Sequence, residues 1–147
     1  MLSIIVPCYN CENTIESCVE SILSALRFSK ITEYEILLIN DGSTDETKKE
    51  LDLLSENDEK VKVYNQQNSG VSAARNKGID NSVGDYINFI DADDTINEKF
   101  YFSFVKNFDE NIDIFVCGIN NKISPKLHGG GERINKSRYI EKILSDL

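Results

Sequence analysis

Two short runs limit what this chain can become: Leu-Ser-Ile-Ile-Val at residues 2–6 and Tyr-Glu-Ile-Leu-Leu-Ile-Asn at residues 34–40. Neither alternates apolar and polar residues as a strand with one wet face would. Near-continuous apolar strands are buried on both faces, as in a parallel sheet covered by helices. The segment between them changes period. Ile15, Cys18, Val19, Ile22, Leu23 and Leu26 recur on one helical face, and Asn13 with Glu16 has N-cap spacing. Pro7 is expected to stop the first strand.

The alternation continues along the chain. Ser43 and Glu46 have the spacing of a capping box ahead of a helix carrying Leu51 and Leu54. Residues 61–64 read as a third strand. Asn68-Ser69-Gly70 opens a small-residue helix through Val71, Ala73, Ala74 and Ile79, and Gly84-Asp85 returns the chain to a strand at 86–90. Thr95 and Glu98 suggest another capping box before Phe100, Phe104 and Phe108, spaced four apart on a helix face. A strand at 112–117, a loop with Gly129, Gly130 and Gly131, and an amphipathic helix carrying Tyr139, Ile140, Ile143 and Leu144 complete the pattern. The fold class is α/β, a mostly parallel sheet flanked by helices on both faces. A chain of 147 residues suffices for one domain with its own core.

In open α/β sheets, ligands bind beyond the carboxyl ends of the strands. Tyr9 and Asn10 stand at that end of the first strand, Asp41 at that of the second, and Asp91 and Asp93 at that of the 86–90 strand. Asp91, Asp93 and Asp94 crowd one strand end. Two such charges about 4 Å apart repel by about 4 kcal/mol at an effective dielectric near 20, and a divalent metal with oxygen preference would remove that cost. The plainer alternative is one aspartate capping a helix while the others face water. Neither phosphate-binding glycine signature is present, so a phosphate would have to be held through a metal on the aspartates.

A net charge of −9 argues against nucleic acid as a partner, since that needs a basic patch. No apolar run approaches the roughly 20 residues that span a bilayer. The expected location is cytoplasmic, with peripheral work at the inner membrane face allowed. Four cysteines, Cys8, Cys11, Cys18 and Cys117, are expected to be reduced there. Cys8 and Cys11 have C-x-x-C spacing, so a thiol redox pair is an alternative, as is half of a zinc site. His128 is the one histidine and no second close cysteine pair exists, which favours small loop and core residues.

Four segments then fall in order: Val6-Pro7-Cys8-Tyr9-Asn10, Asn40-Asp41-Gly42-Ser43-Thr44-Asp45, Gly70-Val71-Ser72-Ala73-Ala74-Arg75-Asn76 and Phe89-Ile90-Asp91-Ala92-Asp93-Asp94. Together they resemble the family 2 glycosyltransferases of GT-A fold, over nearly the whole chain to about Gly118. The resemblance implies transfer of a sugar, with inversion, from a nucleoside diphosphate (a UDP-sugar) to a hydroxyl of a carbohydrate or glycolipid acceptor, in polysaccharide assembly at the cell envelope. It implies that Pro7, Tyr9 and Asn10 line the nucleoside pocket and that Asp41 accepts a hydrogen bond from the base. Arg75 approaches the nucleotide. Asp91 and Asp93 form a D-x-D pair for Mn²⁺ or Mg²⁺, with Asp93 the direct ligand and Asp91 on the ribose or a metal-bound water. The family's general base has no counterpart here: Glu132, Glu141 and Asp146 lack its context. Residues 1–147 are therefore expected to form one donor-binding domain, cut short on the acceptor side. The alternative is a non-catalytic nucleotide-sugar-binding module.

Overall fold

The protein was analysed as a computed structural model that describes residues 1–106. The elements are β1 (Leu2–Cys8), α1 (Ile15–Phe28), β2 (Tyr34–Asp41), α2 (Thr47–Asn57), β3 (Val61–Gln66), α3 (Val71–Asn81), β4 (Tyr86–Phe89) and α4 (Phe100–Lys106). Two compact units divide the chain, Met1–Lys99 and Phe100–Leu147, and α4 belongs to the second. Phe108, the strand at 112–117, the glycine loop, the last helix, Cys117 and His128 lie outside the described residues, as do Glu132, Glu141 and Asp146.

The first unit is built on one parallel sheet of order β3-β2-β1-β4. Leu2↔Tyr34 through Cys8↔Asn40 pair β1 with β2, Leu2↔Tyr86 through Ile5↔Phe89 pair β1 with β4, and Ile36↔Val61 through Asp41↔Gln66 pair β2 with β3. The two apolar runs are the two inner strands, as their composition requires. Ile4, Ile5, Val6 and Ile36, Leu37, Leu38, Ile39 are all fully buried. Each such side chain contributes about 1.5–3 kcal/mol of burial.

Chain direction across the sheet decides where the helices go. From β1 to β2 to β3 the chain steps one way; from β3 it returns past both to β4. Right-handed crossovers then put α1 and α2 on one face and α3 on the other. The contacts agree: α1 touches α2, while α3 lies on β1 and β2. On α1, Ile15, Cys18, Val19, Ile22, Ala25 and Leu26 are buried; Leu23 is only half-buried, and Ala25 takes its place in the core. The helix ends at Phe28 with Ser29 as its cap, and just beyond it Lys30, at φ 57°, donates its N–H to Arg27 C=O at 3.1 Å while Ile31 N–H reaches Leu26 C=O at 3.0 Å.

Several expected boundaries move. Pro7 does not stop β1, which continues to Cys8. Ile5 C=O accepts from Ile90 N–H, so by strand alternation the donor that Pro7 lacks would face β4. Pairing with β4 has ended there at Ile5↔Phe89, so no ladder bond is lost. Neither the two expected capping boxes nor the Asn13 cap forms. α1 starts after Thr14 and α2 after Glu46, both without a side-chain cap bond, and α4 starts at Phe100, five residues beyond Thr95. Of these side chains, Ser43 is engaged elsewhere, accepting from Asn10 N–H.

Helix α3 packs closest to the sheet at Gly78, where an added Cβ would run into the side chain of fully buried Ile5. Gly78→Val is therefore expected to cost about 1–3 kcal/mol by overpacking. A lower denaturant midpoint at unchanged slope would report it. An unchanged midpoint would contradict such close seating.

Candidate nucleotide-sugar site

A parallel sheet whose order reverses beside β1 has a switch point between β1 and β4, and in such sheets ligands bind beyond the carboxyl ends of those strands. The segments there are 8–11 after β1 and 90–96 after β4, with 41–47 after β2 alongside. Pro7, Tyr9, Asn10, Asp41, Arg75, Asp91 and Asp93 lie on or beside this edge. Pro7 is half-buried inside β1 and Tyr9 is exposed just after it. Asn10 takes a φ of 49°, a left-handed conformation that asparagine tolerates better than most residues.

Asn10 knits two loops together. Its N–H donates to Ser43 Oγ at 3.1 Å and its Oδ1 accepts from Thr44 N–H at 2.8 Å. Cys11 N–H donates to Thr47 Oγ1 at 2.7 Å, Glu12 N–H to Asp45 Oδ2 at 3.3 Å, and Glu46 N–H to Glu12 Oε2 at 2.7 Å. Ser43 N–H donates to Asn40 Oδ1, and Asn40 Nδ2 to Asn65 Oδ1. Ser43 thus serves the loop between β1 and α1 instead of capping α2. Buried Thr47 and Asn40 were not singled out in the sequence. Thr47 sits between Glu46 and Lys48, a context that looks like a solvated helix face.

Asp41, the last residue of β2, is buried and hydrogen-bonded through both carboxylate oxygens. Oδ1 accepts from Gln66 Nε2 and Ser69 N–H, and Oδ2 from Gly70 N–H, each at 2.8 Å. It caps α3 from another strand. Gly70 adopts φ 87° to enter that helix. Gly42, at φ 69°, lets the next turn pass within 2.6 Å of Asn68 N, measured from where a Cβ would stand.

On the β4 side, Arg75 of α3 and Asp91 form an ion pair, Nη2 to Oδ1 at 2.7 Å, with Arg75 over the Phe89 ring at 5.9 Å. Arg75 Nε is buried without a hydrogen-bond partner among the described residues. Asp93 is exposed and makes no hydrogen bond or ion pair among the described residues. Asp94 N–H closes a turn onto Asp91 C=O at 3.0 Å. The sheet edge therefore brings Arg75 and Asp91 into contact and keeps Asp93 open.

Helix α1 supports this segment from below. Cys18 Sγ reaches Asp91 C=O at 3.6 Å, and Ile96 N–H donates to Ser21 Oγ at 3.0 Å. Burial first, then Cys11 and the nearby Asp94, Asp93 and Asp91 carboxylates, push the Cys18 thiol up to about 12, so it keeps its proton. Cys8, Cys11 and Cys18 are all free and buried. The hydrogen bond with Cys11, together with burial, raises Cys8 well above the ordinary 9.0. The same hydrogen bond lowers Cys11 despite its own burial. A thiol pair that exchanges with partners needs exposure. These thiols instead pack under the loops.

No group of three or more His, Cys, Asp or Glu side chains among the described residues forms a ready-made metal cage. Nor is any described helix long and apolar enough to cross a membrane.

Comparisons with known proteins agree with this architecture. The sequence pattern of Glycosyl transferase family 2 matches residues 3–145. EpsJ, an uncharacterized glycosyltransferase of Bacillus subtilis strain 168, is 35% identical over 143 residues, 97% of this chain and 40% of EpsJ. GlyA, a glycosyltransferase of Streptococcus pneumoniae serotype 4, is 38% identical over 99 residues, 67% of this chain and 14% of GlyA. The crystal structure of S. aureus TarS 1-349 in complex with UDP-GlcNAc superposes with a TM-score of 0.63 at 33% identity, covering 71% of this chain and 30% of that one. The chain thus spans 40% or less of the length of these relatives. With a match that takes in all four strands and the loops that join their carboxyl ends, the chain belongs to glycosyl transferase family 2 and has the GT-A fold.

Proposed function

We propose that this chain is the donor-binding part of an inverting glycosyltransferase that moves a sugar from a nucleoside diphosphate, UDP being favoured, to a hydroxyl of a carbohydrate or glycolipid acceptor. The observation that carries the reading is the open Asp93 carboxylate beside an Asp91 already held by Arg75, at the sheet's switch point. The UDP-GlcNAc complex of TarS supports the choice of donor class.

The donor set fits a hard divalent cation. Asp91 and Asp93 offer carboxylate oxygens only, Asp93 is solvent-facing, and no third ligand closes a cage among the described residues. Mg²⁺ and Mn²⁺ suit sites where one or two carboxylates share the ion with substrate phosphates and water. Asp93 would hold the ion directly, with Asp91 on the ribose or a metal-bound water. When bound, the ion supplies Lewis-acid stabilisation of charge on the departing diphosphate. The chain's own residues do the rest. Arg75 fixes the Asp91 carboxylate and brings a positive charge to the anionic end of the donor. Asp41 holds the 66–70 turn and faces the base, where Pro7, Asn10 and the exposed Tyr9 ring form the nucleoside wall. Inversion needs a base on the acceptor's far side to take its proton; that base belongs to the acceptor side, beyond the donor loops. Residues 1–147 act in this reading as one domain, at the cytoplasmic face of a membrane where the acceptor is presented.

UDP at about a hundredfold excess over its Kd is expected to add about 2.7 kcal/mol of stability, and only with Mn²⁺ or Mg²⁺ present. Asp93→Ala removes the metal-dependent part. Thermal unfolding with and without chelator measures both. Equal stabilisation in the two conditions would rule out the metal assignment.

A further inference from the structure

The segment carrying the aspartates is short of internal bonds. Within 91–96 the backbone closes one turn, Asp94 N–H on Asp91 C=O at 3.0 Å, and the remaining anchors come from outside. Arg75 holds the Asp91 side chain. The backbone is held by one turn of α1. Cys18 Sγ–H reaches Asp91 C=O at 3.6 Å, and Ser21 Oγ accepts from Ile96 N–H at 3.0 Å. Ser21 Oγ–H in turn donates to Cys18 C=O at 2.7 Å. A hydroxyl that both donates and accepts has a fixed orientation, so its acceptor lone pair points at Ile96. Cys18 is fully buried in the core, which makes that turn of α1 a rigid footing. Asp93 stands in the middle of the clamped segment with no bond of its own among the described residues.

We infer that Ser21 is a positioning residue for the acidic segment: its hydroxyl pins Ile96, Cys18 pins Asp91, and the two anchors set where Asp93 can reach a cation. The inference rests on the nucleotide-sugar reading of the site. It assigns a role to a residue that touches neither donor nor metal. Groups that orient a metal's ligands typically change its affinity by about 10–100-fold when removed.

The test compares wild type, Ser21→Ala and Ser21→Thr by thermal unfolding at saturating UDP across a Mn²⁺ titration. Hydrogen exchange at the Ile96 amide is followed without ligand. Alanine is the best helix former and Ser21 is only half-buried, so the variant keeps its helix. Ser21→Ala is expected to raise the Mn²⁺ midpoint about tenfold and to speed Ile96 exchange. Threonine, which keeps the hydroxyl, restores both. An unchanged Mn²⁺ midpoint in Ser21→Ala, or a midpoint that threonine fails to restore, overturns the positioning role. So does an Ile96 amide that exchanges alike in all three proteins. A wild type that ignores Mn²⁺ and UDP altogether refutes the site reading instead, a separate result from the same titration.

Discussion

Asp41→Ala is expected to lower the folding stability of this chain by about 1–3 kcal/mol, before any ligand is added. The carboxylate is buried and accepts from Gln66 Nε2, Ser69 N–H and Gly70 N–H. Alanine leaves all three donors without their acceptor; Gln66 is half-buried while Ser69 and Gly70 are exposed, so only a part of the roughly 1–3 kcal/mol that a buried unpaired donor costs applies to each. Water entering the gap recovers part of this. A domain's whole margin is about 5–15 kcal/mol, so the loss is large. Asp41→Asn keeps one acceptor but turns an NH₂ toward a donor, and an intermediate loss is expected. Chemical denaturation reads the stability, and UDP titration of the surviving folded fraction reads the pocket. A stability within about 0.5 kcal/mol of wild type would mean the turn at 66–70 does not depend on this residue. The consequence for the site is direct: a weakened donor response in an Asp41 variant reports collapse of the α3 entrance as well as loss of a contact to the base.

The second large effect lies at the opposite end of the sheet. Glu35 is buried at the amino end of β2, with its side chain 3% exposed. Oε1 accepts from Ser3 Oγ at 2.7 Å and Val83 N–H at 2.8 Å, and Oε2 from Lys62 Nζ at 2.9 Å. Gly84 N–H then donates to Ser3 Oγ at 2.9 Å. One carboxylate therefore joins β1, β2, β3 and the turn before β4. Glu35→Ala leaves buried Ser3 Oγ and the Val83 N–H without this acceptor, while Lys62, 44% exposed, returns to water; the expected cost is about 1–3 kcal/mol.

Glu35 also sets a pH dependence. Burial alone would raise its pKa, but the hydrogen bonds from Val83, Lys62 and Ser3 outweigh it and hold the group below the ordinary 4.5. A carboxyl lowered in the folded state binds fewer protons there than in the unfolded chain. Its contribution is complete above the unfolded value and is lost as the pH falls through the folded one. Wild type should therefore lose stability below about pH 4.5 more steeply than Glu35→Gln, which has no proton to take up at that position. Parallel acid limbs for the two proteins would show that another carboxylate governs acid unfolding.

The inner strands were legible because burial on both faces leaves a local mark, an unbroken apolar run. The parallel sheet followed from strands that alternate with helical periods. The placement of the candidate residues was legible too, since Tyr9, Asn10, Asp91 and Asp93 follow strands, Asp41 ends one, and the carboxyl ends of parallel strands share one edge. Helix starts were less legible. Ser43, Asn13 and Thr95 have the right spacing for caps, yet the helices begin elsewhere. Ser43 instead receives Asn10 N–H, from a residue 33 positions away. Pro7 misled for a similar reason: whether a missing donor matters depends on what lies beside it in the sheet.

Glu35 shows the limit most plainly. In the sequence it is one polar residue interrupting an apolar strand, with nothing to separate a solvated charge from a buried hub. What the linear sequence determined was periodicity, and with it the strands, their order of appearance and the edge on which carboxylates gather. What only the tertiary structure decided was partnership: Arg75 on Asp91, Asp41 on the start of α3, Ser21 on Ile96, Glu35 on Lys62. Periodicity is a property of neighbours along the chain. A hydrogen bond across some tens of residues depends on where two backbones finally pass each other, and no local pattern records that.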